Sequence, residues 1–297
     1  MMKGLVFTLI TGFFWAIIAV VFDFVAKKKV KLYSFYACSL AIGTLISLFF
    51  VKWNVLFQGK IERAWDLVLV LSLCGIVNPV SMLLMIVAMR AGHSSLVWTI
   101  TQSALVIQFI FATLFWGESI NLYQMFGLLA ILITFIMVAT GKKEDLAGQS
   151  TGFRGKQLLL VLGSFVFIGI GQVLYITPSH WSGWIDAAEI RVLIVYISSL
   201  ILMTGVALYS KEKLDKTAVL LAVVLAVAGA LSSQSLLVGV DAFTPYKISK
   251  IAYPIATASS IVLFSFYSYI YLKEPFSLKK WLGIVFGILG IVLFSIN

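Results

Sequence analysis

The sequence predicts an all-α polytopic membrane protein whose ten transmembrane helices form two inverted five-helix repeats. Of its 297 residues, 61% are hydrophobic and 11% are charged, whereas soluble domains average about 45–50% apolar and about 25% charged residues. The apolar residues occur in repeated runs of about 20, the length of a helix that crosses a hydrocarbon core of about 30 Å. A fixed offset between the two halves predicts the repeat. These observations exclude a soluble globular protein.

Charge clusters and groups of Gly, Pro, Asn, Asp and Ser mark the ends of the apolar runs. In the first half, the predicted spans are residues 4–25, 33–51, 66–89, 94–116 and 121–140. In the second half, they are residues 157–176, 187–209, 217–239, 251–272 and 279–296. The polar linker 141–156 separates two predicted domains, residues 1–140 and 157–297. The first run is too long for the apolar region of a signal peptide, and it lacks a small-residue cleavage site, so we expect it to remain as span one.

Related features recur at fixed offsets in the two halves. An offset of 156 residues aligns Ser103 with Ser259, Glu118 with Glu274, Gly127 with Gly283, and Asn78 with Gln234. In the first spans, an offset of 153 aligns Lys3 with Lys156 and Thr11 with Ser164. Because each half holds an odd number of spans, two fused copies must lie in opposite membrane orientations. Such inverted repeats are typical of secondary transporters, whose substrates bind near the midplane between the halves.

The polar residues exclude several classes of function. The formal charge of +10 lies in short clusters between apolar runs, which indicates membrane orientation and no nucleic-acid partner. His93 and His180 have no cysteine or carboxylate at ligand spacing, and the Gly-Lys pairs lack the pattern of a phosphate-binding loop, so we expect no metal and no cofactor. No segment clusters acids or pairs a histidine with an aspartate near one interface, so we expect no enzyme activity.

The distribution of basic residues predicts an orientation. The odd-numbered loops carry 15 of the 22 Lys and Arg residues. By the positive-inside rule, these loops lie in the cytoplasm and both termini lie outside. We expect a multi-pass protein of a bacterial plasma membrane, with the lipid bilayer as its solvent.

Two segments resemble a known family. The first runs from Ala88-Met89-Arg90-Ala91-Gly92 through Gly117-Glu118-Ser119 to Gly127, and the second from Pro254 through Leu272-Lys273-Glu274-Pro275 to Gly283 and Gly290. Both are similar to the EamA-type repeat of the drug/metabolite transporter superfamily. The resemblance implies a ten-helix bundle that carries drugs, amino acids, sugars or nucleotide sugars, and it usually implies cytoplasmic termini. The first half departs from the pattern at Trp98, which matches Pro254, and at Thr134, which matches Gly290.

Polar and aromatic side chains inside the spans are the candidates for substrate contact. Pro79 follows Asn78 at the centre of span three and frees the carbonyl of Gly75, which then needs a polar neighbour, a water or a substrate. Two amides that face one cavity could bind a polar solute. The predicted substrate-lining residues are Asn78, Pro79, Trp98, Gln102, Gln172, Gln234, Ser235, Lys250 and Tyr253. Thr11, Trp15 and Tyr175 are secondary candidates.

Several of these residues have a structural alternative. Neighbouring helices could satisfy the kink at Pro79. Trp98 and Tyr253 could belong to the aromatic belt at the membrane interface, and Lys250 could extend to the headgroups.

The charged residues near the span ends have roles of their own. Glu118 and Glu274 are predicted to be structural, as acceptors for the N-terminal amides of the following helix. Arg191 either pairs with Glu189 or Asp186 or acts as a gate residue. No carboxylate lies at a predicted midplane, which disfavours drug/proton antiport.

The preferred function is therefore secondary transport of a small polar or amphiphilic organic metabolite, such as an amino acid or a sugar, by alternating access. The alternatives are a multidrug efflux antiporter and a non-transporting membrane scaffold or lipid-handling protein. Small-residue faces such as Gly283, Gly287 and Gly290 predict close helix packing, either between the halves or in a homodimer.

Overall fold

The computed structural model describes residues 2–51, 53, 64–91, 94–116, 121–139, 155–181, 188–243, 252–273, 278–294 and 296. In the first half, the helices are α1 (Met2–Lys27), α2 (Leu32–Phe50), α3 (Ala64–Met89), α4 (Ser94–Gln102), α5 (Leu105–Phe115) and α6 (Leu122–Ala139). In the second half, they are α7 (Gly155–Ile176), a 3-10 turn (Thr177–His180), α8 (Ala188–Tyr209), α9 (Lys216–Phe243), α10 (Ala252–Tyr267) with a π-helical turn (Ser268–Leu272), and α11 (Leu278–Phe294).

The predicted fold class is confirmed, because a helix lies at each of the ten predicted spans. Span four consists of α4 and α5, and span nine of α10 with its π turn. Eight helices in the described part of the chain are long and apolar enough to cross a membrane, and a shorter apolar helix runs over Trp281–Gly290. The predicted linker lies almost wholly outside the described residues, so the division into residues 1–140 and 157–297 stays a prediction.

The outer surface of the bundle is apolar. Large side chains such as Phe49 and Trp65 are 89% and 85% exposed, and Leu5, Leu9 and Phe13 form an exposed row along α1. Soluble monomers rarely expose contiguous apolar patches larger than a few hundred Å². This surface suits a hydrocarbon solvent.

The principal helix contacts join the first half of the chain to the second. Helix α1 packs on α9 and α10, α3 packs on α7 and α8, α2 packs on α8 and α9, and α6 packs on α11. The same contacts recur when both helices of a pair are replaced by the helices five spans away. The contact of α1 with α9, spans one and eight, corresponds to that of α7 with α3, spans six and three. The contact of α2 with α9, spans two and eight, corresponds to that of α8 with α3, spans seven and three. The two halves therefore interlock around one core, which includes Phe22, Phe35, Met85, Trp98 and Phe264.

Two spans are interrupted. Helix α4 ends at Gln102 and α5 begins at Leu105, with a turn between them. Hydroxyls of Thr99, Thr101 and Ser103 each donate to the carbonyl four residues earlier, at 2.8 to 2.9 Å. Such bonds to the preceding turn bend helices. The other interruption is the π turn at the end of span nine, which is the counterpart of span four under the shift of five spans.

Candidate functional site

Asn78 lies on the inward face of α3. Leu71, Cys74 and Met85, one or two turns away on the same face, are buried, whereas Ile76 on the opposite face is exposed. Asn78 itself is only half-buried. Because its neighbours on that face are buried, Asn78 lies on the side of α3 that packs into the bundle. Its side-chain amide has no hydrogen-bond partner within the described residues.

The kink at Pro79 is satisfied by a neighbouring helix. Proline lacks the N–H that would bond the carbonyl of Gly75. The hydroxyl of Ser199 on α8 donates to that carbonyl at 2.6 Å, and both groups are buried. The freed carbonyl is therefore occupied by the protein, and Asn78 is the polar group of this segment that remains open to a solute.

Gln102 lies at the interruption of span four. Every residue of α4 from Ser94 to Thr101 is buried, yet Gln102 is half-buried at the last position of the helix. Its amide makes no hydrogen bond to the described part of the chain. An open amide beside a helix break is the arrangement from which transporter sites are built.

Gln172 occupies the inward face of α7. Val161 and Ile168 on that face are buried, whereas Ile170 on the opposite face is exposed. Gln172 is half-buried, and its buried Oε1 has no hydrogen-bond partner among the described residues. The thiol of Cys74 donates to the carbonyl of Gly171 at 3.3 Å, which brings this part of α7 against α3.

The three amides Asn78, Gln102 and Gln172 form what we call the amide cluster. Their spans contact one another, because α3 packs on α7, α4 packs on α7, and α3 packs on α4. Each amide has a donor and an acceptor. The amide cluster therefore consists of three amides on mutually contacting spans, and their side chains make no hydrogen bond to the described residues.

Gln234 lies on α9, which carries none of the three amides of the cluster. It shares a face of α9 with Val223, Val227 and Leu231, which are 39–40% exposed. The inward face of α9 carries Ser232 and Ser235, both of which are buried. Gln234 itself is half-buried, as Asn78 is, and its predicted contact with a substrate stays a prediction.

Trp98 is a buried contact between the two halves. It is 2% exposed, its Nε1 donates to the hydroxyl of Ser260 on α10 at 3.4 Å, and its ring lies 6.0 Å from that of Phe264. Tyr253 is half-buried at the start of α10, with its ring 6.3 Å from that of Trp15. Neither residue forms part of an exposed belt. Lys250, Glu118 and Glu274 lie outside the described residues.

Arg191 is a buried cation that was absent from the predicted lining set. It lies near the start of α8 with 7% of its surface exposed. The signal in the sequence was an arginine inside an apolar run, which by itself marks a functional position in a membrane span. Asp186 and the side chain of Glu189 lie outside the described part of the chain, so the predicted pairing of Arg191 with one of them stays a prediction.

One end of the bundle is closed by polar contacts. This end, which carries the loops α1–α2, α3–α4 and α8–α9, we call the odd-loop end. The carboxylate of Asp23, 1% exposed, accepts from the hydroxyl of Ser94 at 2.6 Å and pairs with Lys27 at 3.1 Å. Arg90 donates to the carbonyl of Val30 at 3.0 Å. Helices α1, α3 and α4 are thereby tied together at this end.

A further contact joins α2 to the α8–α9 loop at the same end. Oε2 of Glu212 accepts from the backbone N–H groups of Tyr33 and Ser34 at 2.9 and 3.1 Å. The hydroxyl of Ser34 donates to the carbonyl of Glu212 at 3.0 Å. A carboxylate at a helix N-terminus satisfies free amides and complements the helix dipole.

Two surface grooves are separate from these residues. A groove of about 420 Å³ is lined by apolar side chains of α1, α9 and α10, and one of about 460 Å³ lies between α2 and α8. Neither is lined by a predicted site residue. No group of three or more His, Cys, Asp or Glu residues that could hold a metal occurs in the described ranges.

Comparison with known proteins agrees with this architecture. Residues 2–140 match the EamA-like transporter family. A crystal structure of a protein aligns with a TM-score of 0.65 at 12% identity, covering 98% of this chain and 95% of that chain, which shows a shared fold alone. No curated protein matches the chain. The first half of the chain is therefore similar to the EamA-like transporter family, and the chain as a whole is a polytopic α-helical membrane protein.

Proposed function

We propose that this protein is a secondary transporter that moves a small polar or amphiphilic organic metabolite, such as an amino acid or a sugar, by alternating access. The observation that carries the proposal is the amide cluster. Asn78, Gln102 and Gln172 lie on inward faces of membrane helices without partners in the described chain. Oε1 of Gln172 is buried as well as unpartnered among the described residues, and such a group costs about 1–3 kcal/mol. A solute that hydrogen-bonds to these amides recovers that cost.

The helix packing supports alternating access between two halves, residues 1–140 and 157–297. The principal contacts obey a shift of five spans, and spans four and nine, which correspond under that shift, are each interrupted, span four after Gln102 and span nine at Ser268–Leu272. In inverted-repeat transporters, interrupted helices surround the substrate, and one half rocks against the other. The polar contacts of the odd-loop end act as the gate that must open on that side.

The test is uptake and counterflow in proteoliposomes with a panel of amino acids, sugars and organic acids. Asn78→Ala and Gln102→Ala should each weaken uptake about tenfold, because one lost hydrogen bond of about 1.4 kcal/mol changes an affinity tenfold. Gln234→Ala is the matched control, since this half-buried amide lies on α9, which carries no member of the amide cluster. The proposal fails if no solute is transported, or if all three variants behave alike.

We further propose that the protein lies in a bacterial plasma membrane with its odd-loop end in the cytoplasm and both termini outside. The excess of Lys and Arg in the odd-numbered loops supports this orientation. A reporter that is active only in the cytoplasm, fused after Asn297, should remain inactive. Activity of that fusion would reverse the assignment.

A further inference from the structure

A groove between α2 and α8 opens on the outer surface of the bundle at its odd-loop end. Its volume is about 460 Å³, and it lies between the start of α2 and the end of α8. Small side chains make the space, namely Ala37, Cys38 and Ala41 on α2 and Ala207 on α8. From Ser34 to Ala41 the groove extends about 10 Å along α2, at 1.5 Å per residue. It therefore runs from the end of the bundle into the membrane-spanning part.

The walls of this groove suit a hydrocarbon chain. Leu200, Leu208 and Leu214 line it beside the small residues, and Leu208 and Leu214 are 73% and 47% exposed. An empty recess would leave its lining without dispersion contacts on one side. Lipid tails surround the outer face of a membrane helix, and a flexible acyl chain can follow a recess that runs along two helices. The occupant favoured by the walls is therefore the tail of a lipid.

Exposed lysines lie on the two loops at the mouth of the groove. The contacts of Glu212 with Tyr33 and Ser34 hold the α1–α2 and α8–α9 loops side by side there. The exposed lysines of these loops that form no ion pair with the described residues are Lys28, Lys29, Lys31, Lys211, Lys213 and Lys216. The two acids of the α8–α9 loop accept from helix amides, Glu212 as above and Asp215 from the N–H of Ala218 at 2.6 Å. The mouth therefore carries an excess of positive charge.

Lys211 is the lysine that lines the groove itself. It follows the end of α8 in a left-handed conformation with φ of 51°, and its N–H donates to the carbonyl of Leu208 at 3.1 Å. This turn closes α8 and fixes the backbone of the lysine beside Leu208. A lysine at such a place can lay its apolar stem on the groove wall and hold its ammonium at the level of the lipid headgroups.

We propose that this groove binds an anionic phospholipid, with an acyl chain between α2 and α8 and the headgroup phosphate at Lys211. The apolar walls match the chain, and basic sites between membrane helices match anionic headgroups. A zwitterionic lipid fits less well, because the lysines repel the ammonium of its headgroup. The site lies on the outer surface, apart from the amide cluster, so it adds a lipid ligand that the proposed transport function does not require.

Cys38 can report whether the groove is occupied, because its half-buried thiol lines the groove, whereas Cys74 is buried. Full-length protein in detergent micelles receives dioleoyl phosphatidylglycerol or dioleoyl phosphatidylcholine and is then treated with N-ethylmaleimide. Peptide mass spectrometry follows the modification of each cysteine. Phosphatidylglycerol should slow labelling of Cys38 about fivefold more than phosphatidylcholine does, the effect of at least one lysine near a lipid headgroup. Native mass spectrometry should show the same preference among the lipids that the protein retains.

Two pairs of variants test the headgroup and the chain separately. Lys211→Gln should remove most of the preference for phosphatidylglycerol, whereas Lys3→Gln, at the opposite end of α1, should keep it. Ala41→Leu should fill the groove and lower the amount of phosphatidylglycerol retained. Gly205→Leu is its control, because nothing lies within 4 Å of the Cβ position of Gly205. If Ala41→Leu does not fold, Lys211→Gln and Lys3→Gln still decide the matter, since both replace exposed side chains.

Three results would overturn the lipid site. The first is equal protection of Cys38 by both lipids, and the second is an unchanged preference in Lys211→Gln. The third is protection that needs no added lipid and is lost when the protein is diluted, because a second copy of the chain would then cover the groove. No readout involves a transported solute, so each of these results leaves the proposed transport function standing.

Discussion

The hydroxyls of Thr11 on α1 and Ser235 on α9 lie 2.9 Å apart, buried between the two halves. An equivalent contact joins α7 to α3, where the hydroxyl of Ser164 donates to the carbonyl of Ser81 at 2.8 Å. Thr11 and Ser164 stand 153 residues apart in the sequence, and Ser81 and Ser235 stand 154 apart. The pairs therefore occupy equivalent places in a bundle whose packing repeats after five spans.

These contacts change the register of the repeat in α3 and α9. Ser81 donates to the carbonyl of Asn78 at 2.6 Å, and Ser235 donates to that of Ser232 at 3.1 Å. At an offset of 154, Asn78 thus corresponds to Ser232 and not to Gln234. The sequence-based offset of 156 came from the turns at Glu118 and Glu274 and does not hold in this helix pair.

The Thr11–Ser235 contact should show as a coupling in a double-mutant cycle. Thr11→Val and Ser235→Ala should each lower the free energy of unfolding in detergent, and the double variant should lose less than their sum. The expected coupling is about 0.6 kcal/mol, because each hydroxyl also bonds a carbonyl of its own helix and interhelical bonds in membranes average that value. Ser233→Ala, whose hydroxyl bonds within α9, should show no coupling to Thr11→Val. Additive losses for Thr11 and Ser235 would contradict the contact.

Gly75 should tolerate no side chain. A Cβ at this position would lie 2.7 Å from both Cβ of Ser198 and the carbonyl oxygen of Val195 on α8. Gly75→Ala should therefore lower Tm, with a loss of about 1–3 kcal/mol from overpacking. Gly205→Ala is the matched control, because nothing lies within 4 Å of its Cβ position. Gly205→Ala should leave Tm unchanged or raise it, since alanine favours helix. Equal losses of stability in Gly75→Ala and Gly205→Ala would refute the close approach of α3 and α8 at Gly75.

The bond from Ser199 to the carbonyl of Gly75 predicts a rescue. Ser199→Ala should destabilise the protein by about 1–3 kcal/mol, because it leaves a buried carbonyl unsatisfied. Adding Pro79→Ala supplies the N–H that normally bonds this carbonyl and should recover part of the loss. In thermal unfolding, Ser198→Ala should gain no such benefit from Pro79→Ala. The assignment fails if Pro79→Ala has the same effect in both backgrounds.

Glu212 should stabilise the start of α2. Glu212→Ala removes the acceptor for two amides at a helix N-terminus, and caps of this kind contribute about 0.5–2 kcal/mol. Hydrogen exchange at the amides of Tyr33 and Ser34 should accelerate, and Glu212→Gln should have a smaller effect. Lys213→Ala serves as the neighbouring control. Unchanged exchange in Glu212→Ala would show that the contact does not persist in solution.

Most of the helix boundaries could be predicted because a bilayer imposes a local rule. Each span must be apolar over about 20 residues and must form its backbone hydrogen bonds within the segment. The ends of a helix such as α1 or α8 can therefore be recognised from residues that are close together in the sequence. The interruption of span four was not predicted. Its cause, the hydroxyls of Thr99, Thr101 and Ser103, was visible in the sequence, but such residues also occur in unbroken helices.

The sequence by itself determined the membrane class, the ten spans and the polar residues available for a site, because hydropathy and side-chain chemistry depend on neighbours in the chain. Only the tertiary structure decided which of those residues act together. It placed the hydroxyl of Ser199 against the carbonyl of Gly75, buried Trp98 against Ser260 and Phe264, and joined Thr11 to Ser235. These choices depend on the rotation and register of helices that are distant in sequence, where a shift of one or two residues moves a side chain to another face.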